Sequence, residues 1–340
     1  MTSRLRTRAS ILGLGLLALC RALAARADDT GAPRIHVKAV VLPTLTFAPL
    51  YVARAEGFFA QQGLDVDLEE IGGSAPSIPL LVRGEVDVLT GWLSSGLLNV
   101  MARGAHVRLV ADRGHVAPSG CTFLAILARR DLAEKTDLDS PEQLRGRRIS
   151  VQTTVAPEYY FEKILKAKGL TTTDVQAITI PNAARPGALQ NGALDLLYSE
   201  DPEITRLLHA NAVVVWNRAE QIVPDFEWGI VAYGPTLLDQ NRDAGRRFMV
   251  AYLKAVRQLA QGKTERNLDI IQQATTIDRA LLRDACWPAI NLNGHINVNS
   301  VRDFTAWAQS KGYLDAAVSE AQFWDPSFAD YASQVLDASH

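Results

Sequence analysis

Two stretches of the chain, "APLYVARAEGFFAQQGL" (Ala48–Leu64) and "APEYYFEKILKAKGL" (Ala156–Leu170), follow one plan about a hundred residues apart. Each opens on Ala-Pro, runs through a helical pattern and stops at Gly-Leu. Proline suits the first helical turn, where its missing N–H costs nothing, and glycine suits the left-handed stop. The surroundings repeat as well. A β-branched strand, "RIHVKAVVL" or "RRISVQT", comes first, and a second strand, "LDVDLEEI" or "VQAITI", follows the Gly-Leu. A short helix ending in Gly84 or Gly192 then leads into "EVDVLT" or "ALDLLY". Pro49 to Gly84 and Pro157 to Gly192 span the same 35 residues, which sets "GEVDVL" on "GALDLL". A chain that writes this order twice builds two similar βαβαβ lobes.

Right-handed crossovers turn each lobe into a parallel sheet with helices on both faces, and such sheets bind ligands beyond the carboxyl ends of their strands. The expected fold class is α/β, with two doubly wound lobes joined by two crossing segments. "TFLAILARR" (Thr122–Arg130) and "FEWGIVAYG" (Phe226–Gly234) read as those segments. The expected division is 34–124 with 235–340 as lobe 1, discontinuous, and 125–234 as lobe 2. The helical runs after Gly234 should pack back on lobe 1. A single helix is expected over about Phe47–Gln62.

The first 27 residues differ from the rest. "MTSRLRTR" is basic, "ILGLGLLALC" is apolar, and Ala25 and Ala27 flank an A-x-A cleavage site, the pattern of an export signal. The apolar run is too short to span a bilayer, which takes ~20 residues. Loss of residues 1–27 removes five arginines and no acid. That leaves 30 Lys+Arg against 37 Asp+Glu, a net charge of −7. An acidic chain without a basic run argues against nucleic acid as a partner. Cys121 and Cys286 would remain; an exported chain could join them, but so far apart they carry no spacing signal and read sooner as two buried free thiols. Without CxxC, HExxH or a His/Asp/Glu cluster there is no case for a metal or other cofactor.

"APLYVARAEGFFAQQGLDVDLEEIGGS" with "LVRGEVDVLTG" resembles the signature of periplasmic solute-binding proteins of nitrate/taurine-type ABC importers. "LDSPEQLRGRRISVQT" and "LQNGALDLLYSEDP" extend the likeness. That superfamily includes binders of sulfonates and of thiamine-precursor pyrimidines. The resemblance implies a type II periplasmic binding protein-like fold and a periplasmic monomer without enzymatic activity. Its partners would be a small organic ligand and an inner-membrane permease, with lobes that close on the solute by hinge motion. Taurine-type members often carry an aromatic residue before the last proline, where this chain has Glu200 and Asp201. A cleft cysteine enzyme related to desulfinases is the alternative, with Cys121 and His115 as its residues. A periplasmic sensor partner is another.

The candidate ligand-binding residues lie in loops after the strands. Thr44 and Thr46 either cap the following helix or reach a ligand, and Phe47 adjoins them. Gly73 and Ser74 form either a tight turn or an anion site at a helix start. Trp92 offers an indole for stacking, and Trp228 a wall. In the second lobe, Thr153 and Thr154 match the Thr44 loop, and Arg185 matches the glycine loop. Arg185 suits a carboxylate or sulfonate when it is not simply a surface arginine. Tyr198 and Glu200 match Trp92. Glu200 favours an amine or ring N–H donor, or else pairs with Arg185 or caps the helix beginning at Pro202, and Asp201 caps that helix.

Overall fold

The computed structural model describes residues 33–181 and 184–338, apart from the side chain of Ser74; the expected export signal lies outside these residues. Two five-stranded sheets form. The first contains β1 (Ile35–Val41), β2 (Leu64–Glu70), β3 (Val88–Trp92) and β4 (Arg108–His115). The second contains β5 (Leu124–Arg129), β6 (Arg148–Ser150), β7 (Gln176–Ala177), β8 (Leu196–Glu200) and β9 (Val213–Arg218). The fifth strand of the first sheet is β10 (Glu227–Tyr233), giving the order β2-β1-β3-β10-β4; the second sheet runs β7-β6-β8-β5-β9.

Both sheets are mixed, where purely parallel ones were expected. β1 is parallel to β2 and β3, and β6 is parallel to β7 and β8. The fourth strand in each order is antiparallel to both neighbours: β10 between β3 and β4, β5 between β8 and β9. These are the strands by which the chain enters or re-enters a lobe. The expected division therefore needs correction, because Glu227–Tyr233 belongs to the first sheet. Every residue of β10 is buried, and only a position between two strands satisfies its backbone on both sides.

Helices of six residues or more are numbered. In the first lobe α1 (Ala48–Ala55), α2 (Ser74–Arg83) and α3 (Ser95–Ala102) connect the strands. The expected helix over Phe47–Gln62 is broken. Gly57 adopts φ 69°, a left-handed conformation that ends α1, and Phe58–Gln61 forms a separate turn. In the second lobe α4 (Ala156–Ala167), α5 (Arg185–Gln190) and α6 (Glu203–His209) take the same roles. Leu165 stands where Gly57 stands in the repeat, so α4 runs unbroken.

The repeated aspartates have a shared task. Asp87 Oδ2 accepts the N–H of Lys38 at 2.8 Å, and Asp195 Oδ2 accepts the N–H of Arg148 at 2.9 Å. Asp87 N–H and Asp195 N–H donate back to the carbonyls of the same residues. Each Gly-x-x-Asp thus pins the start of the third strand to the first.

The carboxyl-terminal helices are α7 (Arg242–Leu259), α8 (Glu265–Thr275), α9 (Arg279–Asp284), α10 (Val298–Ser310) and α11 (Ser327–Asp337). α7 packs on α1 and α11, and α8 on α1, which places these three on lobe 1 as expected. α9 and α10 do more. α9 meets α6, and α10 lies against both α3 and α4. Trp307 Nε1 donates to Glu162 at 2.8 Å, and the Tyr313 hydroxyl donates to Glu158 at 2.8 Å. This part of the chain straps the two lobes together. It also corrects the reading of two free thiols: Cys121, just before the crossing segment, forms a disulfide with Cys286, just after α9. Residues 165 apart in sequence could not be paired by spacing alone.

Candidate ligand-binding site

The carboxyl ends of β1, β3, β6 and β8 face one another, and the loops that follow them enclose a cavity of about 510 Å³. From the first lobe come Pro43, Thr44 and Trp92; from the second come Gln152, Arg185 and the run Leu197–Glu203. Arg206 and Ile277 complete the rim. Near it the lobes touch directly. Ser95 N–H donates to the Thr154 carbonyl at 2.9 Å, and Ala156 N–H donates to the Leu93 carbonyl at 3.1 Å.

Aromatic side chains form the floor. Trp92 meets Tyr198 edge-on across the lobes, with centroids 5.9 Å apart. Behind Trp92 lies Trp228, at 5.2 Å, which in turn stacks on Phe123 at 5.3 Å. Trp228 is fully buried. Gly114 makes room for it: a Cβ there would lie 2.2 Å from the indole, so no other residue fits. Buried Arg113 sits over the Phe47 ring at 4.8 Å and the Trp228 ring at 5.1 Å. Its guanidinium donates to the carbonyl of Gly91 at 2.9 Å and to that of Thr46 at 3.2 Å. Burial pulls the Arg113 pKa down, against the opposing charge of Glu200.

Glu200 dominates the electrostatics. Part of its surface is open to the cavity, while its Oε2 is sealed from solvent and accepts no hydrogen bond. Burial raises its pKa to about 7, although the guanidiniums of Arg113 and Arg185 pull it down. The buried Tyr198 hydroxyl also lacks a partner, and burial followed by the charge of Glu200 pushes its pKa well up. Arg185 donates from Nε to the Ile180 carbonyl at 3.0 Å. Buried groups left this way are costly, and a ligand that satisfies them recovers that cost.

Thr44, Trp92, Arg185, Tyr198 and Glu200 thus line one cavity. Other candidates lie elsewhere. Thr46 and Phe47 are buried behind it, where Thr46 Oγ1 lies 2.9 Å from Thr44 Oγ1. Trp228 supports Trp92 and forms no wall, because the close approach to Gly114 draws it into the core. Thr153 and Thr154 are exposed outside the cavity lining; the backbone of Thr154 serves the contact with Ser95. Gly73, three residues beyond β2, is absent from the lining. Asp201 caps as expected, accepting Thr205 N–H at Oδ1, and its Oδ2 also accepts Cys286 N–H.

Gln152, Ser199, Arg206 and Ile277 also line the cavity and lie outside the sequence expectation. Arg113 was missed too, although a charged pair inside the apolar strand "RLVADRGH" was a signal. The desulfinase-like alternative loses its nucleophile, since Cys121 is in a disulfide; His115 Nδ1 lies 2.8 Å from Asp112. Among the described residues no group of three or more His/Cys/Asp/Glu could hold a metal ion, and no helix is long and apolar enough to cross a membrane.

The sequence profile described as "NMT1/THI5 like" matches residues 44–264, well over half of the chain. The chain belongs to the NMT1/THI5-like family. The match covers the whole Ala48–Ser74 signature and every lobe 2 strand. The "Putative binding protein YtlA" of Bacillus subtilis (strain 168) is 35% identical over 135 residues, which cover 39% of this family member and only 37% of that protein. Among solved structures, a ligand-binding component of an ABC-type import system from Staphylococcus aureus superposes with a TM-score of 0.72 at 15% identity. It covers 88% of this chain and all of that one. The periplasmic nitrate-binding protein NrtA from Synechocystis PCC 6803 also gives 0.72, at 14% identity and 90% coverage of both chains. At such identities the likeness shows the periplasmic binding protein fold, in agreement with the two lobes seen here.

Proposed function

We propose that this NMT1/THI5-like protein is the extracytoplasmic substrate-binding component of an ABC importer, working in the periplasm as a monomer. It captures a small organic solute, a sulfonate, a carboxylate or a pyrimidine-like ring, between its lobes. The observation that carries this reading is the cavity itself. It lies at the carboxyl ends of strands from both sheets and holds Glu200, whose Oε2 accepts no hydrogen bond, beside an aromatic floor. A solute touching both lobes binds the closed arrangement better than an open one, so capture shifts a hinge equilibrium toward closure. A permease that recognises the closed form would then receive the solute, with no bond made or broken. The family membership and the fold shared with import-system proteins support this reading.

The test is a thermal-shift scan of sulfonates, aromatic acids, pyrimidines and amines, followed by small-angle scattering with any hit. A stabilising ligand that also reduces the radius of gyration is the expected result. No stabilisation by any class, with unchanged scattering, would sink the proposal.

A further inference from the structure

The charged groups around the cavity fall into two sets. Asp201, Glu203 and Arg206 are already satisfied. Asp201 accepts the N–H groups of Thr205 and Cys286, and Arg206 pairs with Glu203 at 2.7 Å. Glu200 and Arg185 are not. Among the described residues Arg185 enters no salt bridge and spends only its Nε, on the Ile180 carbonyl. Glu200 Oε2 accepts nothing. The two groups nevertheless feel each other's charge and line the same cavity. Opposite charges therefore stand within electrostatic range but out of contact, with room between them.

We propose that the ligand is a zwitterion, a small organic molecule whose protonated amine meets Glu200 and whose carboxylate or sulfonate meets Arg185. This rests on the receptor reading above and narrows it. A bare anion would satisfy Arg185 but face the carboxylate of Glu200. A bare cation would face the guanidiniums of Arg185 and, behind the floor, Arg113. A molecule bearing both charges removes both conflicts with Glu200 ionised, since an unpaired buried charge is the costly outcome. Trp92 and Tyr198 cover its carbon body, and the unpartnered Tyr198 hydroxyl supplies one more hydrogen bond. A cavity of about 510 Å³ accommodates a molecule of amino-acid size.

Proton linkage gives a second signature. Burial holds Glu200 near 7; Arg113 on β4 and Arg185 on α5 oppose this, while neighbouring Asp201 adds to it. Tyr198, on the same strand, is neutral. An arriving ammonium ionises Glu200, so binding near neutral pH releases a proton, and affinity falls as the pH drops below about 7.

The test is titration calorimetry on the signal-free chain with three matched trios. These are phenylalanine, 3-phenylpropionate and 2-phenylethylamine; 6-aminohexanoate, hexanoate and hexylamine; and 2-aminoethanesulfonate, ethanesulfonate and ethylamine. In at least one trio the zwitterion should bind ~10-fold or more tightly than either partner. Glu200→Gln should erase its advantage over the anion, and Arg185→Gln its advantage over the cation. Heats measured in phosphate and in Tris should differ by the proton released, and Glu200→Gln should abolish that difference. Should an anion bind as tightly as its zwitterion in every trio that binds, the inference fails while the receptor reading stands. Silence of all nine probes overturns the inference. If the broader thermal-shift scan is silent as well, the receptor reading falls with it.

Discussion

The two lobes share a strand order, a Pro-started helix and a strand-pinning aspartate, yet they contribute unequally to the cavity. Lobe 1 supplies Pro43, Thr44 and Trp92, an aromatic face and a hydroxyl. Lobe 2 supplies the charges, with Arg185, Glu200, Asp201, Glu203 and Arg206. The glycine loop and the Arg185 loop show how this arises. β2 pairs over seven residues, and after Ile71 come Gly72 and Gly73, which have no side chain to reach back. β7 pairs over two, and α5 beyond it opens on the long guanidinium of Arg185. Duplication preserved the scaffold, and the loops gave the halves different chemistry. One half brings charged side chains to the cavity while the other brings an aromatic face.

The comparison can be broken most forcefully at the join between the lobes. The Cys121–Cys286 disulfide closes 165 residues, worth about 5 kcal/mol in the chain-entropy account. A Cys121→Ser, Cys286→Ser double variant should lose stability of that order in urea titrations. A loss under 1 kcal/mol would mean that the strap of α9 and α10 holds the lobes without it. Next come the equivalent aspartates. Asp195→Ala should cost about 3 kcal/mol and Asp87→Ala about 2, since Asp195 also holds Arg148 Nη2 at 2.8 Å while Asp87 accepts the Lys38 N–H. Equal losses would show that the repeat, and not the added ion pair, sets their worth.

Glu200 gives a pH-dependent difference. Its pKa is raised from 4.5 to about 7 in the folded protein, so the native state holds its proton longer than the unfolded chain. Its contribution is full below 4.5 and is lost as the pH climbs to 7. Between pH 5 and pH 8 the ligand-free protein should lose about 2 kcal/mol more than Glu200→Gln does. Parallel curves for the two proteins would remove Glu200 from the account. The smallest effect belongs to Gly57. Gly57→Ala places a Cβ in open space but in a left-handed backbone, and should cost about 1 kcal/mol. No loss would mean that α1 can run on as α4 does.

Much of the scaffold was legible because it rests on local chemistry. Proline at a helix start, glycine at its stop and a β-branched strand before it are read within a few residues, and the recurrence of the same 35-residue Pro-to-Gly span doubled the signal. What escaped depended on distant partners. "FEWGIVAYG" reads as a strand, but its insertion between β3 and β4 depends on which edges are open. Trp228 looks like any aromatic near a cleft until Gly114, over a hundred residues away, admits it to the core. Arg113 sits in an apolar strand, and its stacking on Phe47 and Trp228 follows from the sheet, not from its neighbours in sequence.

By itself the sequence determined that there would be two alike α/β lobes with loop-bearing rims, because helix starts, stops and strands follow from near-neighbour sterics and hydrogen bonding. Tertiary structure alone decided which rim residues share a cavity, that Cys121 meets Cys286, and that Glu200 and Arg185 line that cavity without forming an ion pair with each other. Those outcomes depend on distances between residues far apart in the chain, and distance is what sets both solvent exclusion and the strength of a charge.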